Sequence, residues 1–144
     1  MKVLSITQET ADFPVIYDLA CMMRMLKHET EPGRAVDEIE QYVDYMLFKL
    51  KIGAIIYYIP MKGFIMLDHA TDMLLKEPHK SYFMMSHIFI KPEFRKTRAY
   101  AALFYRMLKE IDGQIVGLTY KNSEHNAVLQ KRYKVLGTIY GRYE

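Results

Sequence analysis

The sequence predicts a mixed α/β fold, a central mixed sheet with helices on both faces, from three observations. Apolar residues recur at helical spacing in some stretches and in short β-branched and aromatic runs in others, giving the order β, α, α, β, β, β, α, β, α, β. A strand, a helix and a second strand follow one another over residues 82–120, the unit whose right-handed crossover leaves its two strands parallel. No repeat or linker divides the 144 residues, a length that suits one core, so residues 1–144 are expected to form one domain.

Residues 3–7 alternate apolar and polar side chains, as an edge strand does. Asp12 caps a helix with Pro14 in its first turn, and Ile16, Leu19, Ala20, Met23 and Leu26 form its apolar face. Residues 27–34 read as a charged loop in which Pro32-Gly33 marks a turn. A second helix presents Val36, Ile39, Val43, Met46, Leu47 and Leu50 as one stripe, so both helices should lie with one face on the sheet. Residues 54–59 and 63–67 flank Pro60, Met61, Lys62 and Gly63 and read as an antiparallel hairpin, followed by a polar connection at 72–80.

Residues 82–90 are almost wholly apolar, as a central strand covered on both faces requires, with His87 the main polar exception. The turn Lys91-Pro92-Glu93-Phe94-Arg95 leads into a third helix carrying Ala99, Tyr100, Ala102, Leu103, Phe104, Met107, Leu108 and Ile111, which Gly113 ends. Residues 115–120 form a strand, and Ser123 caps a fourth helix with Asn126, Leu129, Tyr133 and Leu136 on one face. Gly137 closes that helix before a last short strand at 138–143.

Composition narrows the function classes. Hydrophobic residues make up 51% and charged residues 26% of the chain, far from a disordered composition. No apolar run reaches the roughly 20 residues of a membrane helix, and the N-terminus lacks the long apolar region of a secretory signal. Cys21 is the single cysteine, so no internal disulfide forms; it is expected as a buried, inert thiol in a cytoplasmic protein. The five His and one Cys show no ligand spacing, and no metal site is expected. A net charge of +3 suits an anionic small molecule, while nucleic-acid binding through Arg95, Lys96, Arg98, Lys131, Arg132 and Lys134 is a minor reading.

Two motifs sit on this scaffold. Ile90-Lys91-Pro92-Glu93-Phe94-Arg95 ends the central strand, and Asn126, Tyr133 and Gly137 are spaced as N-x6-Y-x3-G on the fourth helix. In this order on these elements the chain resembles the GNAT superfamily of N-acetyltransferases, whose fourth strand ends in V-x-P-x-x-R, over almost its whole length. The resemblance implies transfer of acetyl from acetyl-CoA to a small-molecule or protein amine by direct attack. It places the pantetheine arm between the two splayed parallel strands, against the backbone edge of Ile88, Phe89, Ile90 and Lys91. The pyrophosphate would lie at the start of helix three, where free N–H groups and the positive helix end meet an anion, beside Arg95, Lys96, Thr97, Arg98, Ala99 and Tyr100.

The family reads roughly Q/R-x-x-G-x-G/A where this chain has Arg95-Lys96-Thr97-Arg98-Ala99-Tyr100, so both small positions are replaced. Arg98 is suited to binding phosphate directly, whereas the Tyr100 ring has two destinations, the pyrophosphate channel or the core. Tyr133 resembles the general acid that reprotonates the departing thiolate; its other reading is a core aromatic beside Leu129 and Leu136. Asn126 pins the start of its helix and, by the resemblance, lies near the cofactor arm. His87 is the first candidate general base, followed by His69, Asp68 and Glu93, and a strand histidine is also a common packing residue.

The acceptor side would involve residues 28–34 and a final hairpin. The sequence runs only seven residues past Gly137, so the family's last strand is expected to be missing or supplied by a neighbouring protomer. The competing function is a catalytically silent structural or interaction module, of the kind the resemblance to small viral proteins with acetyltransferase-like folds suggests.

Overall fold

The structure is a computed structural model that describes residues 1–71, 81–111 and 114–117. The elements are β1 (Leu4–Ile6), α1 (Phe13–Thr30), α2 (Ile39–Lys51), β2 (Ile55–Ile59), β3 (Gly63–Thr71), β4 (Ser81–Ile90), a 3-10 turn (Pro92–Phe94), α3 (Ala99–Glu110) and β5 (Gln114–Gly117). Among the described residues five strands form one sheet in the order β1-β2-β3-β4-β5. The first three pairings are antiparallel, and β4 pairs with β5 in parallel, as the crossover through α3 requires. No described helix is long and apolar enough to cross a membrane.

The sheet is covered on both faces, so its strands contribute alternate residues to two cores. Ile56, Tyr58, Phe64, Met66 and Phe89 pack against Ile16, Leu19, Met22, Met23 and Leu26 of α1 and Tyr42, Met46 and Leu50 of α2. Tyr57, Ile59, Ile65, Leu67, Phe83, Met85 and Ile90 pack against Tyr100, Leu103, Phe104 and Met107 of α3. Each fully buried side chain of this size contributes roughly 1.5–3 kcal/mol by leaving water, so two-sided burial is the main force that fixes the strand register.

Several boundaries differ from the sequence reading. Asp12 caps α1, its side chain accepting from the Val15 N–H at 3.0 Å, but the helix continues through Lys27, His28, Glu29 and Thr30. The charged stretch can be helical because Lys27 and Glu31 pair at i,i+4, Lys27 and His28 face the negative helix end, and the Thr30 hydroxyl donates to the Leu26 carbonyl. Gly33, at φ 80°, makes the turn.

Helix α2 starts only at Ile39, which leaves Val36 outside it and exposed; Leu47 is likewise 47% exposed, and Tyr42 takes the core position. Tyr42 can be buried because its hydroxyl donates to the Val36 carbonyl at 2.6 Å. Leu108 of α3 is exposed, β3 runs on to Thr71, and Cys21 is half-buried where full burial was expected. The connection 72–80, residues 118–120, the fourth helix and the last strand lie outside the described residues.

Candidate active site

Strand β4 is the spine of the site, and its local irregularity decides which way each side chain faces. Met66 pairs with His87 and Leu67 with Met85, so Ser86 is an extra residue, a β-bulge. Before it, Phe83 and Met85 face α3; after it, Ile88 and Ile90 do. The bulge thereby turns His87 and Phe89 toward α1 and α2. In the described residues the parallel ladder with β5 pairs Tyr82 to Met85 with Gln114 to Gly117, immediately before the bulge.

The backbone beyond the bulge has a defined polarity. The Lys91 N–H donates to the Lys62 carbonyl at 2.8 Å. By the alternation of an antiparallel ladder, the backbone groups of Phe89 then point to β3 and those of Ile88 and Ile90 to the opposite edge. Arg95 Nε occupies the Ile90 carbonyl at 2.8 Å. The side chains of Phe89 and Ile90 are wholly buried, so these residues can meet a ligand only through their backbone.

The turn after β4 is compact and unstrained. The Phe94, Arg95 and Thr97 N–H groups donate back to Lys91, Pro92 and Phe94. The Thr97 hydroxyl donates to the Phe94 carbonyl at 2.6 Å and accepts from the Ala99 N–H at 3.3 Å. Among the described residues, positive φ occurs only at Gly33, Gly53 and Met61, so no position from 95 to 98 needs glycine's conformational freedom. Lys96, Thr97 and Arg98 are exposed around the first turn of α3, and Ala99 and Tyr100 are buried. Tyr100 is 9% exposed and belongs to the α3 core, so its ring takes the inward destination.

Arg95 is placed differently from its neighbours. It lies 5.7 Å over the Phe89 ring and donates to both carboxylate oxygens of Glu29, at 2.8 and 2.7 Å. The charge expected at the anion site is therefore held by α1 at this position and presented outward by Lys96 and Arg98.

On the α1/α2 side of the bulge, His87 Nδ1 lies 3.1 Å from the Ser86 hydroxyl and its ring meets Tyr45 of α2 edge-on, centroids 6.0 Å apart. Lys49 sits 2.8 Å from Asp68, a close ion contact without the alignment of a hydrogen bond. Burial, and then the positive charges of Lys27 and Lys49, push the His87 pKa down to about 4 against the pull of Asp68. His87 is thus neutral at pH 7, with a lone pair to offer and little affinity for a proton. Tyr45 is raised by burial and by Asp68, so it stays a neutral hydroxyl.

The structure thus gathers His87 and Asp68 on one face, joined by Tyr45 and Lys49, which the sequence reading did not single out. His69 points to the other face, stacked on Phe83 at 4.9 Å, and Glu93 is exposed in the turn. Asn126 and Tyr133 lie outside the described residues.

No family model matches the chain, and no curated protein matches it. Solved structures do. A probable acetyltransferase aligns over 100% of this chain and 97% of its own with 16% identity and a TM-score of 0.74. A ribosomal-protein-alanine N-acetyltransferase from Brucella melitensis biovar Abortus aligns over 100% of both chains with 12% identity and a TM-score of 0.67. A predicted acetyltransferase from Clostridium acetobutylicum, solved with acetyl-CoA, covers 99% of this chain and 95% of its own with 11% identity and a TM-score of 0.66. The chain has a GNAT-like acetyltransferase fold.

Proposed function

We propose that this chain is an N-acetyltransferase that takes acetyl-CoA as acyl donor and a small-molecule or protein amine as acceptor. The observation that carries the reading is the β4 bulge, which follows the parallel pairing described through Met85 and is itself followed by a backbone edge turned away from β3 and an unstrained cationic turn. These groups fit the donor. Ile88 offers backbone N–H and C=O groups to amides of an extended arm, and Lys96 and Arg98 flank the positive end of α3 where a pyrophosphate would lie. The Tyr100 ring lies in the α3 core, which leaves the replaced small positions and the short C-terminal end as the grounds for the catalytically silent alternative.

The thioester supplies an activated acyl carbon, on which the amine nitrogen forms a new C–N bond as the C–S bond breaks. Tyr133 is assigned the return of a proton to the departing thiolate, a step that suits a phenol with a free pKa near 10. His87 and the Tyr45 hydroxyl line the acceptor side of β4 as neutral groups. His87 can accept a hydrogen bond from the amine, and its weak basicity passes the released proton on to water.

Calorimetry with acetyl-CoA and with CoA tests the reading, and absence of heat at millimolar ligand would overturn it. Given binding, Tyr133→Phe should lower kcat by about a hundredfold with little change in donor affinity. Turnover assays against free amines and against peptide N-termini then separate the two acceptor classes.

A further inference from the structure

Arg95 opens a cationic run yet is the member turned inward, with a side chain only 12% exposed. Its Nε donates to the Ile90 carbonyl at 2.8 Å, one Nη donates to both oxygens of Glu29, and its guanidinium covers Phe89. Glu29 belongs to the last turn of α1. That turn is also clasped to the linker before α2: His28 Nδ1 lies 2.8 Å from the Arg24 carbonyl and Nε2 2.8 Å from Asp37 Oδ1. Arg24 also donates to the Asp37 carbonyl at 3.3 Å. The end of α1 is thus tied to the β4–α3 turn on one side and to residues 31–37 on the other.

We propose that the Glu29–Arg95 pair couples the donor turn to the linker between α1 and α2, with Arg95 acting as a positioning residue and not as a phosphate ligand. In its naming of CoA as the ligand sensed, this rests on the acetyltransferase reading. A phosphate reaches Arg95 only by displacing a bidentate carboxylate, and separating a poorly exposed charge from its partner costs more than using exposed charge. Lys96 and Arg98 offer such charge without breaking anything.

Because Arg95 is anchored to β4 and to Glu29 together, a ligand that settles the turn also settles the last turn of α1, and with it the residues that His28 and Arg24 hold. By linkage, whatever orders residues 31–37 tightens the donor in return.

Amide hydrogen exchange on the full chain, with and without CoA, tests this in the wild type, Glu29→Gln and Arg95→Lys. Without ligand, Glu29→Gln should speed exchange at Phe94, Arg95 and Thr97 and at Glu31, Arg34 and Ala35, all of whose amides are hydrogen-bonded, by about tenfold, leaving Lys62 unchanged. With CoA, Glu31, Arg34 and Ala35 should become protected in the wild type and in neither variant, while residues 98–101 are protected in all three. Arg95→Lys keeps the charge but loses the two-point grip, so it controls for a general loss of folding.

Protection of the linker that persists in both variants would reduce the pair to a structural contact and overturn the proposal. Tighter CoA binding by Glu29→Gln would make Arg95 a phosphate ligand and overturn it as well. If the wild type binds no CoA, the acetyltransferase reading falls separately. The ligand-free comparison then still decides the coupling: an unchanged turn or an unchanged linker in Glu29→Gln defeats it.

Discussion

Two turns lie side by side at one end of the sheet and are secured in opposite ways. The β2–β3 hairpin turns through Met61, a non-glycine residue at φ 62°, and Asp18 of α1 holds it by accepting from the Met61 N–H at 2.9 Å and from the Tyr58 hydroxyl. The β4–α3 turn has no residue of positive φ and is held by Arg95 reaching to Glu29. The two touch where the Lys91 N–H meets the Lys62 carbonyl and where Lys62 lies 5.2 Å over the Phe94 ring. A strained turn pinned by two charge-assisted bonds has one geometry to offer, which suits a frame. A relaxed turn held through one arginine side chain that bonds to both β4 and α1 can settle onto a ligand, which suits a site.

The largest effect that would break this contrast is at Gly63, where the hairpin meets β4. A Cβ there would stand 2.5 Å from the Phe89 carbonyl oxygen and 3.1 Å from Ile90 Cα, so Gly63→Ala should cost about 3 kcal/mol in chemical denaturation and disturb both turns. Asp18→Ala should cost about 2–3 kcal/mol, because the Tyr58 hydroxyl and the Met61 N–H lose a charged acceptor; a loss below 0.5 kcal/mol would mean that the hairpin needs no pin.

On the other turn, Arg98→Gly restores the family's small residue where no left-handed backbone calls for one. It should weaken CoA binding about tenfold in calorimetry, through lost charge, with stability changed by less than about 1 kcal/mol. Tighter binding would show that the turn was sterically blocked.

A pH measurement sharpens the division further. His87 titrates near 6.5 when unfolded and about 4 when folded, so the unfolded chain takes up the proton first. Its contribution to stability is complete above 6.5, declines as pH falls toward 4 and is constant below that. His87→Phe should flatten this part of the pH–stability curve. The smallest effect is expected from Met61→Gly, a gain of about 0.5 kcal/mol as relief of the left-handed backbone outweighs the added chain entropy.

What could be read from the sequence follows from how far each signal reaches along the chain. The α1 face of Ile16, Leu19, Ala20, Met23 and Leu26 was legible because burial repeats every turn, and the parallel β4–β5 pairing because a helix joins the strands. The end of α1 was not, since its last turn is polar and is stabilised by pairs whose helical spacing looks the same as a charged loop. Leu47 and Tyr42 exchanged places because apolarity alone cannot register that a tyrosine hydroxyl will find the Val36 carbonyl.

The site was legible in outline, through Pro92, the cations after it and His87. Its decisive contact was not. Glu29 meets Arg95 across 66 positions, and no local pattern announces a pair at that separation. The bulge had left a trace, two consecutive polar residues, Ser86 and His87, inside an otherwise apolar run over residues 82–90.

That bulge gives the strand an unequal tolerance of mutation. Exchanging Ser86 for alanine removes one hydroxyl, with its long 3.4 Å bond to the Met66 carbonyl and its 3.1 Å contact with His87 Nδ1, but leaves the bulge in place. Deleting residue 86 instead removes the extra residue itself: Met85 stays opposite Leu67, His87 follows directly opposite Met66, and the ladder runs on without a bulge while each side chain keeps its face. The bulge is therefore stored at this point in the length of the chain, and a loss of one codon would erase it as no single substitution there can.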